Sequence, residues 1–170
     1  TARLLVAEMR RGGGLITLAD LAGYQPVKRD VLRGTYRGFE LLAPPPPSSG
    51  GVALIQMLNL LEPHDLSKMG RGSASTTHLL AEVMRRAFAD RARWLGDPAF
   101  VKEMPLERLT SKTYAADLGK TIQWERASVS SPSSFEWPVE SSETTHLSVV
   151  DEARNAVSLS YTLEDHYGSK

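Results

Sequence analysis

The chain has 170 residues, enough for one domain with a substantial apolar core. Twenty basic residues balance twenty acidic ones, so the formal net charge is zero, which argues against electrostatic capture of nucleic acid or of an anionic membrane surface. Cysteine is absent, which excludes disulfides, thiolate metal sites and cysteine nucleophiles and leaves threonine and serine as candidate hydroxyl nucleophiles.

The chain opens inside a helical pattern, because the apolar residues between positions 4 and 9 recur at helical spacing. Three glycines, Gly12 to Gly14, predict the end of this helix. No charged and then apolar leader precedes it, and no run approaches the roughly 18 apolar residues of a membrane span. Because no closing element follows Lys170 either, we expect an internal segment of a longer protein.

A short helix and a hairpin are expected next. Thr17 to Asp20 resembles a capping box and predicts a helix that ends at about Tyr24. Residues 27–32 and 36–43 predict two strands, which we expect to be joined at Arg33 to Thr35 because a glycine lies there.

The segment Pro44 to Gly51 contains four prolines, two serines and two glycines ahead of an apolar helix, Val52 to Leu61. The prolines have no backbone donors, and serine is a favoured helix cap. We therefore predict a stiff elbow into a helix capped by a serine hydroxyl. A polyproline ligand and an anion-binding helix start are the alternatives that spacing leaves open.

The longest predicted helix runs from Thr76 to about Leu95, and a shorter one runs from Lys112 to about Ile122. Apolar side chains are expected to form a buried stripe on the long helix: Leu79, Leu80, Val83, Ala87, Phe88 and Trp94. Its charged side chains are expected on a solvated or ion-paired face: Arg85, Arg86, Asp90 and Arg91. Residues 123–142 are rich in Ser, Pro and Glu and predict an exposed linker.

Two alternating runs on either side of a turn at Asp151 to Asn155 predict an antiparallel hairpin. If the turn is centred on Ala153, Thr144 lies opposite Thr162, close enough for the two hydroxyls to hydrogen-bond. Taken alone, a threonine pair is also explained by ordinary β-propensity. The same Thr-Thr-His sequence at residues 76–78 precedes a helical pattern and predicts no chemistry there.

Together these segments resemble the γ-glutamyltranspeptidases, also called glutathione hydrolases, over the whole chain. The matching pieces are Gly14 to Thr17 with Asp20 to Ala22, Tyr36 to Gly38, Pro45 to Gly51, Ala89 to Arg91 with Leu95 to Pro98, and Glu140 to Asp151. The resemblance implies an α+β fold, as a fragment of the αββα sandwich of N-terminal nucleophile hydrolases. Residues 1–143 would be the C-terminal part of the large subunit, and residues 144–170 the first strands of the small, catalytic subunit.

The resemblance also implies which residues act. The processing site is the Glu143–Thr144 bond, Thr144 is the nucleophile, and Thr162 hydrogen-bonds it. Glu164 is expected to contact the α-ammonium group of the substrate, although an exposed charge beside a strand end is the other interpretation. His146 matches a motif position without a catalytic role.

The implied reaction moves the γ-glutamyl group of glutathione and related amides to water or to amino acid and peptide amines, through a γ-glutamyl-threonine ester. The expected partners are these compounds and, after self-cleavage, the two subunits of a heterodimer. No cofactor or metal is implied, and the expected location is periplasmic or secreted. A cephalosporin acylase, a poly-γ-glutamate transferase and a homologue that neither self-cleaves nor catalyses are the rival interpretations.

Other parts of the family's active site are expected outside residues 1–170. The arginine that binds the substrate carboxylate lies upstream in the family, and the aspartate, the serine pair and the glycine pair of the oxyanion hole lie downstream. One oxyanion donor alone contributes about 10²- to 10³-fold in rate. Residues 1–170 by themselves are therefore expected to be inactive.

Overall fold

The structure, a computed structural model, describes residues 1–129 and 144–162, apart from the side chains of 144–146 and 160–162. The described helices are α1 (Ala2–Gly12), α2 (Leu18–Gly23), α3 (Gly50–Leu61), α4 (Leu66–Met69), α5 (Ala74–Trp94), α6 (Leu106–Leu109) and α7 (Lys112–Gly119). The described strands are β1 (Leu32–Tyr36), β2 (Phe39–Ala43), β3 (Thr144–Val150) and β4 (Ala156–Thr162). None of these helices combines the length and the apolarity that crossing a bilayer requires.

The chain divides into two compact units, residues 28–136 and residues 1–27 with 137–170. In the first unit α3 is the central element, and it packs against α5, α7 and the β1–β2 hairpin. The core between these helices consists of Leu60, Leu61, Leu79, Val83, Ala115 and Ile122. A helix that is apolar on most of its surface is expected to be buried on several sides, which explains the central position of α3.

Two glycines permit the close packing around α3. A Cβ atom on Gly34, in β1, would lie 2.9 Å from a side-chain methyl of Ile55 in α3. A Cβ atom on Gly51 would lie 2.2 Å from the backbone oxygen of Pro44. The hairpin and the proline segment therefore approach α3 at distances that a larger residue would not allow.

A hairpin forms and its second strand lies within the predicted residues 36–43, but the first strand predicted at residues 27–32 and the turn predicted at Arg33 to Thr35 are wrong. These residues lie inside β1, and the turn is at Arg37 and Gly38, which have φ angles of 49° and 87°. Two successive positive φ angles are typical of the tight turns that match the twist of paired strands. Gly34, which suggested a turn at that position, allows β1 to pack closely against α3 instead.

The proline segment leads into α3 as predicted, with a cis peptide bond between Pro46 and Pro47. The predicted hydroxyl cap is wrong. Ser49 occupies the N-cap position without a side-chain capping bond, and its hydroxyl accepts a hydrogen bond of 2.6 Å from Nε of Arg91. The serine therefore ties α3 to α5.

Helix α5 begins two residues earlier than predicted, because Ser73 caps it by accepting from the backbone N–H of Thr76. Its buried apolar positions are Leu79, Val83 and Ala87, as predicted, whereas Leu80 is 40% exposed. The short helix α4, which precedes it, was not predicted.

In the other unit, α1 ends at the glycine run, where Gly13 has a left-handed φ of 75°. Helix α2 opens with the predicted capping box, since Thr17 and Asp20 exchange both of its hydrogen bonds. Both helix boundaries thus follow from local sequence, as expected.

The second hairpin, β3–β4, also belongs to this unit and has the predicted register. Asp151 closes its turn, accepting hydrogen bonds of 2.8 Å from the backbone N–H and the side-chain amide of Asn155. The apolar side chains on one face form two cross-strand pairs: Leu147 with Leu159 and Val149 with Val157. The turn geometry and the alternation of residue types therefore specify the same pairing.

Candidate active site

The β3–β4 ladder pairs Thr144 with Thr162 at its open end, which confirms the predicted register. The N–H of Asp151 donates to the carbonyl of Asn155 at 3.1 Å, which sets the phase of the ladder. Because hydrogen-bonded and non-hydrogen-bonded pairs alternate, the threonine pair is of the non-hydrogen-bonded type. Cα atoms in such pairs are about 4.5 Å apart, the closer of the two spacings.

The other two predicted site residues lie outside the described residues. Glu143 precedes β3, and Glu164 follows β4 by two positions. Of the residues predicted to act, the structure therefore brings Thr144 and Thr162 together, and the assigned roles of all four residues stay predictions.

The motif segment Ala89 to Arg91 serves a polar network that sequence reasoning missed. The Asp90 carboxylate accepts hydrogen bonds from Nε2 of Gln56 at 2.6 Å and from the hydroxyl of Tyr114 at 2.9 Å. Gln56 is 1% exposed, so its position on an otherwise apolar helix was the available signal. Burial, together with the hydrogen bond to Asp90, raises the pKa of Tyr114. The network joins α3, α5 and α7 and fixes the Asp90 side chain.

A second missed residue is Glu82, whose side chain is 1% exposed. Its carboxylate accepts hydrogen bonds from the backbone N–H of Ser128 at 2.8 Å, the Ser128 hydroxyl at 2.5 Å and Nη1 of Arg86 at 2.6 Å. Burial acts to raise the pKa of Glu82, but the hydrogen bonds from Ser128 and Arg86 outweigh it and lower the pKa to about 2. Of the two environments predicted for the charged residues of α5, solvated or ion-paired, Arg86 has the ion-paired one.

The start of the predicted linker, residues 123–127, is exposed as expected, but it is held by contacts with other elements. The Trp124 ring lies 5.5 Å from the ring of His64 and 6.1 Å from that of His78, centroid to centroid. Nε2 of His78 is 2.9 Å from the Gln123 carbonyl oxygen. Together with the Ser128 contacts, these interactions fix residues 123–128 on the helices, and residues 130–142 lie outside the described residues.

Within the described ranges, no group of three or more histidine, aspartate and glutamate side chains is arranged to hold a metal ion. Some ionisable groups of this part of the chain form ion pairs, such as the pair of Glu62 with Lys112.

All 170 residues match the protein family described as gamma-glutamyltranspeptidase. The chain belongs to the γ-glutamyltranspeptidase family. A glutathione hydrolase proenzyme of Escherichia coli K12 is 45% identical over 171 residues, which cover 99% of this chain and 29% of that protein. An acylase ACY 1 proenzyme of Pseudomonas sp. SE83 is 44% identical over 172 residues, with 98% and 29% covered.

Solved structures of the γ-glutamyltranspeptidase family have the same fold. The crystal structure of Helicobacter pylori γ-glutamyltranspeptidase matches with a TM-score of 0.70 and 42% identity over 75% of this chain and 36% of that one. The match confirms the predicted α+β fold as a fragment of an N-terminal nucleophile hydrolase sandwich. The chain spans about 29% of the length of the curated relatives named above.

Proposed function

We propose that the full protein is a self-cleaving γ-glutamyltransferase and glutathione hydrolase in which Thr144 is the nucleophile. The pairing of Thr144 with Thr162 carries the proposal, because it sets a second hydroxyl residue directly across the ladder from the first. Family membership supports the reaction class, and both curated relatives compared above are named as proenzymes.

A threonine inside a chain lacks a base of its own, which is why cleavage before Thr144 matters. An α-amine has an ordinary pKa of about 7.7 to 8.0, so near neutral pH it can take a proton from the adjacent hydroxyl. A nucleophile paired with its own terminal amine is an established form of activated threonine. In this proposal, the cut supplies the base for every later turnover.

The proposed processing step begins with attack of Thr144 Oγ on the carbonyl carbon of Glu143. The C–N bond of the peptide breaks, the nitrogen takes the hydroxyl proton, and an ester joins the two residues. Water then hydrolyses this ester. The products are a carboxylate at Glu143 and a free Thr144 with both its hydroxyl and its new amine.

In the mature enzyme the same oxygen attacks the γ-carbonyl carbon of a γ-glutamyl amide such as glutathione. The amine of the leaving group departs with the proton that the terminal amine held, and a γ-glutamyl ester forms on Thr144. Water or the amine of an amino acid or peptide then takes the γ-glutamyl group. Thr162 donates a hydrogen bond to the nucleophile, and Glu164 binds the α-ammonium group of the substrate.

The proposal divides the chain at the cut. Residues 1–143 end the large subunit, residues 144–170 begin the small one, and the two remain together as a heterodimer. A periplasmic or secreted location is part of the proposal, as the family resemblance implies.

An acylase of a different amide is the second candidate function, and one observation favours it. The Pseudomonas acylase is 44% identical to this chain, nearly the 45% of the glutathione hydrolase. Thr144 would perform the same two steps in both enzymes. A panel of glutathione, an aromatic γ-glutamyl amide and a cephalosporin amide, given to the full-length protein, separates the two functions.

The decisive experiment measures the mass of the full-length protein and of its Thr144→Ala variant. We expect two wild-type polypeptides that meet between Glu143 and Thr144, and one uncut, inactive polypeptide for the variant. Thr77→Ala is a matched control, because Thr77 belongs to the second Thr-Thr-His sequence and is exposed on α5. Turnover of γ-glutamyl amides by an uncut chain would overturn the proposal.

A further inference from the structure

The face of the β3–β4 hairpin to which Thr144 and Thr162 belong has polar residues along most of its length. Alternate residues of a strand share a face, so the register places two further polar pairs beside the threonine pair: His146 with Ser160 and Ser148 with Ser158. Both pairs have the phase of the threonine pair in the ladder, so both are of the closer, non-hydrogen-bonded type. His146 is therefore a near neighbour of both threonines on one face.

The spacing of these positions suits proton transfer between His146 and Thr144. Residues two positions apart on one strand are separated by about 6.8 Å along it, and diagonal neighbours across a ladder by about 7–8 Å, which aromatic and long side chains can span. His146 has the first relation to Thr144 and the second to Thr162. A base must lie within hydrogen-bonding reach of the proton that it takes, directly or through one water.

Self-cleavage requires a base that the uncut chain supplies. In the precursor, the nitrogen of Thr144 is still part of a peptide bond, so the amine that would serve the mature enzyme does not yet exist. The other residues that the register places on this face are threonine, serine, valine and alanine, which do not accept a proton near neutral pH. An ordinary imidazole has a pKa of about 6.5 and does accept one.

The remaining titratable and charged groups of the described hairpin lie elsewhere. The register places Tyr161 on the opposite face. Asp151, Glu152 and Arg154 belong to the turn, and Asp151 is five residues, about 17 Å, from His146 along the chain. Within this hairpin His146 is thus the residue with the chemistry and the position of a base for Thr144.

We propose that His146 is the base for self-cleavage of the precursor and is dispensable for turnover once Thr144 has a free amine. The inference rests on the proposed function and deepens it. As Thr144 Oγ bonds to the carbonyl carbon of Glu143, the imidazole takes the hydroxyl proton. As the C–N bond breaks, the imidazolium gives that proton to the Thr144 nitrogen and is neutral again. The family resemblance assigns His146 no role in turnover, and the proposal confines its role to the earlier step.

The test follows the rate at which full-length precursor, made by cell-free synthesis with a pulse label, is cut into two polypeptides. General acid–base catalysis contributes about 10²- to 10⁴-fold, so we expect His146→Gln to be cut at least about 10²-fold more slowly than wild type. Ser148→Ala is the matched control, because it changes a polar residue on the same face two positions further from Thr144. It removes no basic group and is expected to be cut within about threefold of the wild-type rate.

Two further measurements separate a base from a structural residue. Wild-type cleavage should slow about tenfold from pH 7.5 to pH 5.5, as an ordinary imidazole becomes protonated, and His146→Gln should lose this dependence. Imidazole added to the His146→Gly precursor should restore cleavage. After imidazole is removed, the molecules cut in this way should have kcat and KM within about threefold of wild type, because the new amine is then the base.

Any of four results would overturn the role of His146 alone. They are cleavage of His146→Gln within about threefold of wild type, a wild-type rate that is constant between pH 5.5 and pH 7.5, a folded His146→Gly precursor that imidazole leaves uncut, and a loss of kcat in the cut variant as large as its loss of cleavage rate. Where neither variant yields a folded precursor, the wild-type pH profile decides. A wild-type chain that stays uncut would instead remove the proposed function, and the role of His146 with it.

Discussion

At the scale of the single residue, the proposed contribution of Thr162 can be measured separately from that of Thr144, the proposed nucleophile. In the proposed mechanism, Thr162→Ala removes one hydrogen bond to the reacting oxygen, and we expect about a 10- to 100-fold loss of kcat for a γ-glutamyl amide. Thr162→Ser retains the hydroxyl and is expected to retain most of the activity. Steady-state kinetics of cut protein check this, and equal losses in the two variants would contradict it.

Glu164 carries a prediction about substrate binding. Glu164→Gln removes the carboxylate that is proposed to bind the α-ammonium group, and we expect KM to rise about tenfold or more while kcat changes less. The matched measurement uses a γ-acyl amide that lacks the α-amino group. The variant and the wild type should process that compound with similar kcat/KM, whereas a loss of the same size would assign Glu164 another role.

Glu82 carries a prediction about acid stability. Its pKa falls from the ordinary 4.5 to about 2 in the folded protein, so its contribution to stability is complete above pH 4.5 and is lost as pH falls toward 2. Glu82→Gln should therefore lower the unfolding free energy by about 3 kcal/mol at neutral pH and by progressively less below pH 4.5. Denaturant unfolding of the full-length protein at several pH values measures this difference, and a constant difference would contradict the assignment.

At the scale of the element, the start of α3 is the most constrained by its neighbours. Gly51→Ala puts a Cβ atom against the backbone oxygen of Pro44, and we expect a loss of about 1–3 kcal/mol of stability. Gly50→Ala is the control, because its Cβ would meet nothing closer than the Ser48 hydroxyl at 3.9 Å. That change should be neutral or stabilising by up to about 1 kcal/mol. The denaturant midpoints of unfolding of the two full-length variants, compared with that of the wild type, measure both stability changes.

Elements specified by neighbouring residues were predicted from the sequence, and elements specified by distant contacts were not. The capping box of α2 and the register of β3–β4 depend on residues within about ten positions of the turn or cap, so pattern and turn chemistry were sufficient. Gly34 suggested a turn because nothing local reveals that Ile55 packs against it. Ser49 suggested a cap because its partner, Arg91, lies 42 positions away.

Among the polar residues described with the candidate site, those specified by neighbouring residues were likewise predicted, and those specified by distant contacts were not. Thr144 and Thr162 were paired by counting outward from one turn, since a hairpin transmits register along its whole length. The Glu82–Ser128 contact joins a buried charge to a segment whose composition is typical of an exposed linker. Composition reflects the average environment of a segment. It does not reveal that a single serine, through its hydrogen bonds to Glu82, attaches this segment to α5.

At the scale of the whole molecule, residues 1–170 alone are expected to leave glutathione and an aromatic γ-glutamyl amide unhydrolysed above background. They span about 29% of the length of the curated relatives, so such a fragment lacks most of the chain length that those relatives have. Assay of the purified fragment beside the full-length protein checks this. Turnover by the fragment that disappears in its Thr144→Ala variant would contradict it.

In the proposed self-cleavage, the attachment of the chain at Ser128 would also limit how far the new carboxyl terminus can travel. Fifteen residues, fully extended, span at most about 50 Å. This radius exceeds the roughly 30 Å length of a 20-residue helix, so separation of the two new chain ends would not require the contact between Ser128 and Glu82 to break.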